Sequence, residues 1–241
     1  MSFMALADRC PSAARRARSY RGGGYLRQIV RAAVCSLALL PAMAAGAASA
    51  APPIKIVALG DSLTAGLGLP EQDGFVARLQ AALAADGTAV ELTNAGVSGD
   101  TASGGLARLD WSVPRGTDAV ILELGANDML RGIEPSVTRQ ALEQILRRLA
   151  ERHIAVLLCG MRAAPNLGAE YGRVFESIYP QLAAKYDTLL YPFFLDGVAA
   201  NFSFLQHDGL HPNAAGVDVI VSHILPKVEQ LIARVHVRHS S

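Results

Sequence analysis

The 241-residue chain predicts an α/β fold, five parallel strands with helices on both faces, on three observations. Apolar runs of strand length recur along it; stretches with apolar residues at helical spacing separate them; and no repeat, low-complexity segment or linker divides the chain after residue 53. The runs are nearly continuous rather than alternating, the pattern of strands covered on both faces. Such alternation of strand and helix packs as a parallel sheet between helical layers, with right-handed crossovers.

Residues 1–50, the first segment of the chain, read as a leader outside the fold. Arginines from Arg9 to Arg31 are opposed only by Asp8, Ala32 to Ala45 is apolar, and Ala48-Ser49-Ala50 has the small-x-small form of a signal-peptidase site. A membrane span needs about 20 apolar residues, so this stretch reads as a cleaved export signal. Residues 51–241 then form a single domain, periplasmic or secreted after cleavage near Ala50. Strands are expected at Ile54–Leu59, Ala89–Thr93, Ala119–Leu124, Ile154–Cys159 and Leu189–Phe194. Between them Phe75, Val76, Leu79, Ala82 and Leu83 mark one apolar helical face. Val137, Ala141, Leu142, Ile145, Leu146 and Leu149 mark a second, and Val174, Ile178, Leu182 and Ala183 a third. A last helix is expected from Asn213 to Arg234, entered at Pro212 with Asn213 as its cap.

Charge and cysteine content narrow the function classes. The leader holds seven of the 22 basic residues and one of the 21 acidic ones, leaving 15 against 20 and a net charge of −5. No basic stripe remains for nucleic acid. Cys10 and Cys35 leave with the leader, so Cys159 cannot form an internal disulfide and reads as a small buried hydrophobe.

Ligands of open α/β sheets gather at the carboxyl ends of the strands. Four segments fall there: Gly60-Asp61-Ser62-Leu63, the stretch from Asn94 to Asp100, Gly125-Ala126-Asn127-Asp128, and Asp208-Gly209-Leu210-His211-Pro212. A serine hydroxyl needs an imidazole base, and the imidazole needs a carboxylate to hold its tautomer. Ser62, His211 and Asp208 supply the three. Attack on a carbonyl also needs donors for the oxyanion, and the Gly96 N–H, the Asn127 amide and the Ser62 N–H are the candidates. Asp61 is expected to brace the loop and Asp128 to support by hydrogen bonding. Trp111 reads equally as packing or as a binding wall. His207, Asp208 and His211 are not expected to hold a metal, because two ligands would be adjacent and no fourth partner is evident. A Gly-x-Ser-x-Gly elbow, a phosphate-binding Gly-Lys loop and a His-Glu-x-x-His pair are all missing.

These blocks, with Ser98-Gly99-Asp100-Thr101, Gly104-Gly105-Leu106-Ala107-Arg108-Leu109 and Glu123-Leu124-Gly125-Ala126-Asn127-Asp128, resemble the SGNH hydrolases, also called the GDSL esterase/lipase family. The resemblance is closest to its thioesterase I, lysophospholipase L1 and arylesterase branch. It implies a flavodoxin-like three-layer αβα sandwich with a five-stranded parallel sheet. Ser62 is implied as nucleophile, Asp208 and His211 as the rest of the triad, and Ser62, Gly96 and Asn127 as the oxyanion hole. No metal or organic cofactor is implied. Arg162, Ala163, Ala164 and Pro165 resemble a substrate-contacting loop, with Ala163 and Ala164 smaller than the family pattern.

The expected activity is hydrolysis of carboxylic esters, aryl or acyl, with thioesters and lysophospholipids also in range. The partner is then a small ester or thioester, met with passing contact to lipid, and the chain is expected to act as a monomer. Two other readings remain: a carbohydrate-acetyl esterase with the same triad, and a non-catalytic binding module of the same fold.

Overall fold

Burial at nearly every strand position sets the middle of the sheet. In a computed structural model of the chain, which describes residues 52–239, the strands are β1 (Ile54–Gly60), β2 (Val90–Gly96), β3 (Ala119–Glu123), β4 (Ala155–Cys159) and β5 (Leu189–Tyr191). All pairs are parallel, in the order β2-β1-β3-β4-β5. Every residue of β3 and β4 is buried, and Lys55 is the one exposed residue of β1. This is the order of a flavodoxin-like sandwich, the architecture that the family resemblance implies. The chain steps from β1 to β2 on one side and returns to β3 on the other, so a crevice opens beyond the end of β1.

The register aligns the carboxyl ends. Gly96, Gly60, Glu123, Cys159 and Tyr191 stand in one row across the sheet. The loops that leave these five residues therefore meet at one rim.

Eight α-helices and three short 3-10 turns complete the described residues, the α-helices being α1 (Ser62–Ala65), α2 (Phe75–Ala85), α3 (Ala102–Ala107), α4 (Leu109–Ser112), α5 (Ala126–Leu130), α6 (Pro135–Glu151), α7 (Ala169–Lys185) and α8 (Ala214–His239). α2 and α8 pack together over one face of the sheet; α3, α6 and α7 pack over the other. The predicted stripes hold for Ala141, Leu142, Ile145, Leu146 and Leu149 of α6 and for Ile178, Leu182 and Ala183 of α7, which are buried, whereas Val137 and Val174, expected on the same faces, are exposed.

Boundaries differ from the sequence reading for local reasons. β5 stops at Tyr191 because Pro192 has no N–H for the ladder. β2 runs on to Gly96, three residues beyond the expected end. α8 is capped by Asn213, whose Oδ1 accepts from the Gly216 N–H at 3.0 Å, and continues through Pro226 to His239. An internal proline costs roughly 3 kcal/mol. Burying Val228, Leu231, Ile232 and Val235, at about 1.5–3 kcal/mol each, outweighs it. Trp111 is 83% exposed and so outside the core, and Cys159 is fully buried as expected. No described helix is long and apolar enough to cross a membrane. The proposed leader lies outside the described residues.

Candidate active site

Ser62 begins at a helix start. β1 ends at Gly60, and Asp61 caps α1 by accepting the Leu63 N–H on its Oδ1 at 3.0 Å. A short polar side chain at that position satisfies one of the orphan donors of the first turn. Ser62 is thereby the first residue of α1, with its Oγ 2.8 Å from His211 Nε2 across 149 residues of sequence.

His211 lies on the loop leading into α8. The Gln206 N–H bonds to the His211 carbonyl at 2.7 Å, and Leu205 bridges to Pro212, closing a tight turn that holds Asp208 beside the imidazole. His211 Nδ1 is 2.6 Å from Asp208 Oδ2. Asp208 Oδ1 accepts the backbone N–H groups of His211 (3.0 Å) and Leu210 (2.9 Å). Those backbone donors, then the imidazole, hold the Asp208 carboxyl down at about 2. Asp208 is thus an anion, Nδ1 carries its proton, and Nε2 is left to accept from the serine hydroxyl.

Asn127 sits on α5, just past β3. Its Nδ2 donates to Asp61 Oδ2 at 3.1 Å, which turns the amide NH₂ toward the nucleophile's turn and leaves one N–H unused. Burial pushes the Asp61 carboxyl up to about 6, against the opposing pull of Leu63 N–H and Asn127.

Gly96 does not present the donor that the sequence suggested. Its N–H is donated to Asn94 Oδ1 at 2.9 Å, an Asx turn at the strand end. Its glycine character serves space instead: a Cβ there would lie 2.7 Å from Ala65 Cα and 2.8 Å from Asp61 O. Gly99, three residues on, is the free donor. Val97 to Asp100 form a turn closed by the Asp100 N–H on the Val97 carbonyl, with Gly99 third at φ +86. The Gly99 N–H meets no acceptor among the described residues. The turn is tied to β1 by the Val97 N–H on Gly60 O, and to α5 by Arg131 Nη2 on Gly99 O at 2.7 Å. Both glycines were visible in the sequence; which N–H is unpaired depends on where β2 stops.

The remaining loop residues take varied places. Arg162, Ala163, Ala164 and Pro165 follow β4 on the same rim, but the Arg162 guanidinium rests 4.8 Å over the Phe193 ring and no bond links the loop to Ser62. The space beside Ser62, lined by Leu63, Leu67, Leu69, Phe75 and His211, is only about 10 Å³. A cavity of about 720 Å³ lies at the opposite end of the strands, near Asp118 and Ile154, where no serine and histidine meet. No three His, Cys, Asp or Glu side chains converge as metal ligands among the described residues.

Three residues that brace the site were given no role by the sequence. Arg108 bonds to Asp100 at 2.6 Å and to the carbonyls of Gly60 and Ala95 at 2.8 Å, joining the ends of β1 and β2. Glu123 and Thr64 lie under the nucleophile's turn, bonded to each other at 2.7 Å. Asp128 supports as expected, accepting from the Ala102 N–H and the Thr138 hydroxyl.

Residues 58–219 match the model of the GDSL-like lipase/acylhydrolase family. The chain belongs to that family. Esterase TesA of Pseudomonas aeruginosa is 38% identical over 178 residues, 73% of this chain and 89% of the relative. The thioesterase 1/protease 1/lysophospholipase L1 of Escherichia coli K12 is 35% identical over 73% of this chain and 84% of its own length. Among solved structures, AlinE4, an SGNH-hydrolase family esterase, is 46% identical with a TM-score of 0.63, covering 74% of this chain and 96% of its own. The chain is accordingly a carboxylic ester hydrolase of the SGNH type.

Proposed function

We propose that the chain is an exported serine hydrolase that cleaves esters through an acyl-enzyme on Ser62. The observation that carries this reading is the unbroken chain of contacts from Ser62 Oγ to His211 (2.8 Å) and on to Asp208 (2.6 Å). In it, His211 Nε2 takes the hydroxyl proton as Ser62 Oγ bonds to the carbonyl carbon. The imidazolium is stabilised by Asp208, then returns the proton to the leaving oxygen. Water, deprotonated by the same nitrogen, releases the acid.

The oxyanion is held by the Ser62 N–H, the Asn127 amide and the Gly99 N–H, the last in place of Gly96. Each donor of this kind supplies about 2.7–4 kcal/mol of barrier reduction.

Aryl esters and short-to-medium acyl esters are the substrates this site favours. The space adjoining Ser62 on the side of Leu63 and Phe75 is about 10 Å³, too small to hold an acyl chain. Thioesters and lysophospholipids enter the range because a relative is named for both activities. The loop Arg162–Pro165, which follows β4, is assigned to substrate contact on the strength of its position at that rim. Export rests on the basic lead-in, the apolar stretch after it and Ala48-Ser49-Ala50.

The test is a pre-steady-state series on p-nitrophenyl esters of increasing acyl length, on protein beginning near Ala51. A burst of p-nitrophenol is expected in wild type, and no turnover in Ser62→Ala or His211→Ala with unchanged circular dichroism. Turnover on acetylated glycans but not on aryl esters would favour the carbohydrate-acetyl esterase; no turnover at all would leave a binding module.

A further inference from the structure

One buried ionisable group beside the nucleophile has no task in the proposed reaction. Glu123, the last residue of β3, is fully buried in the strand-end row between Gly60 and Cys159. Its Oε2 accepts the Thr64 hydroxyl at 2.7 Å and the Asp61 N–H at 3.3 Å. It also fills the space under Gly60, where a Cβ would stand 2.6 Å from it. Its Oε1 meets no donor among the described residues. An ionised carboxylate with a bare buried oxygen lacks the compensation a buried charge needs.

No neighbour supplies that compensation. Asp61 on the α1 side is itself a carboxyl in electrostatic contact with Glu123. Cys159 on β4 and Tyr179 on α7 are buried groups whose acidities are suppressed by burial, so neither offers charge. Arg108 directs its guanidinium to Asp100, Ser112 and the Gly60 and Ala95 carbonyls. His211 gives its ring nitrogens to Asp208 and Ser62. Asp61, by contrast, has a donor on each oxygen, the Leu63 N–H and Asn127 Nδ2.

We propose that Glu123 is a positioning residue for ester hydrolysis, held as a neutral acid: it ties β1 to α1 through Thr64 and the Asp61 N–H, and leaves Asp61 as the anion that aims Asn127 at the oxyanion. Burial and the adjacent Asp61 both push the Glu123 carboxyl well above its ordinary range, in agreement. Two carboxyls thus share one proton beneath the nucleophile, and their work is done through Asn127 and Ser62. The assignment rests on the proposed roles of those two residues.

Two substitutions separate this role from plain packing. Glu123→Gln keeps a neutral side chain with an acceptor for Thr64 and the Asp61 N–H, and is expected to retain kcat within about threefold. Glu123→Leu keeps the bulk without the acceptor and is expected to lower kcat ~10–100-fold at a KM changed less than about twofold. If the leucine variant does not fold, Thr64→Val replaces it, with kcat expected to fall about threefold or more at unchanged KM. A glutamine variant as impaired as the leucine one, or a full kcat in Leu (or in Val where Leu does not fold), overturns the proposal.

Infrared difference spectra of wild type against Glu123→Gln at neutral pH read the protonation directly. A protonated-carboxyl carbonyl stretch that vanishes in the glutamine variant is expected; its absence from wild type overturns the neutral acid. That band is independent of turnover, so loss of the Ser62 reading and loss of this one give different results.

Discussion

Gly96→Ala is the substitution whose effect follows most directly from distances. Gly96 does not sit at positive φ, so alanine is permitted by the backbone and only space opposes it. The added Cβ would stand 2.7 Å from Ala65 Cα and 2.8 Å from Asp61 O, both backbone atoms of the nucleophile's turn. Unbonded carbons settle at ~3.5–4.0 Å, so α1 must retreat from β2 by about 1 Å. The Ser62–His211 contact of 2.8 Å then opens beyond hydrogen-bond range. A displacement of about that size costs on the order of 10²-fold in rate, close to 2.7 kcal/mol of barrier. Overpacking adds about 1–3 kcal/mol of lost stability. Saturating kcat on p-nitrophenyl butyrate, alongside urea unfolding, measures both. A variant with wild-type kcat and unchanged unfolding midpoint would refute the steric argument.

Three further outcomes are expected. Asn127→Ala should lower kcat by roughly 10²–10³ with KM little changed, because its unused N–H strengthens as the oxyanion develops; a rise in KM at constant kcat would contradict that. Asp61 has a folded pKa raised by burial from 3.8 to about 6, so the folded state binds its proton more tightly and stability falls as pH rises through that window, by about 3 kcal/mol for this buried group. Urea unfolding from pH 4 to 8 should show that part of the fall missing in Asp61→Asn, and parallel curves for the two proteins would exclude it. Gly172 lies inside α7, and a Cβ there would make an ordinary contact with Ala163 Cβ at 3.7 Å. Gly172→Ala should therefore raise stability by ~0.5–1 kcal/mol, read as a higher Tm; a lower one would count against the geometry.

Much of the fold was legible because burial on both faces writes itself as apolar runs. β1, β3 and β4 are such runs, and α6 and α7 carry their stripes from Ala141 to Leu149 and from Ile178 to Ala183. α3, α4 and α5 were not legible: at four to six residues they are too short to display a period. The triad could be named from residue types and chain position, since Ser62 begins α1 at the end of β1 while Asp208 and His211 lie on the loop that leads into α8. The oxyanion donor could not. Gly96 and Gly99 are the same residue type, and only the hydrogen bond to Asn94 and the turn at Val97–Asp100 tell them apart. Glu123 did leave a sign, as the single charged residue in the otherwise apolar run Ala119–Leu124. A carboxyl in a strand covered on both faces marks a position where structure or chemistry requires it.

An activated hydroxyl at Ser62 carries the whole mechanism, and covalent trapping tests it without reference to any natural substrate. Intact-mass and peptide mapping after exposure to a fluorophosphonate should find one phosphonyl group, on Ser62, and none on Ser62→Ala. Wild-type protein that stays unlabelled, or a Ser62→Ala variant that labels as fast as wild type, would contradict it.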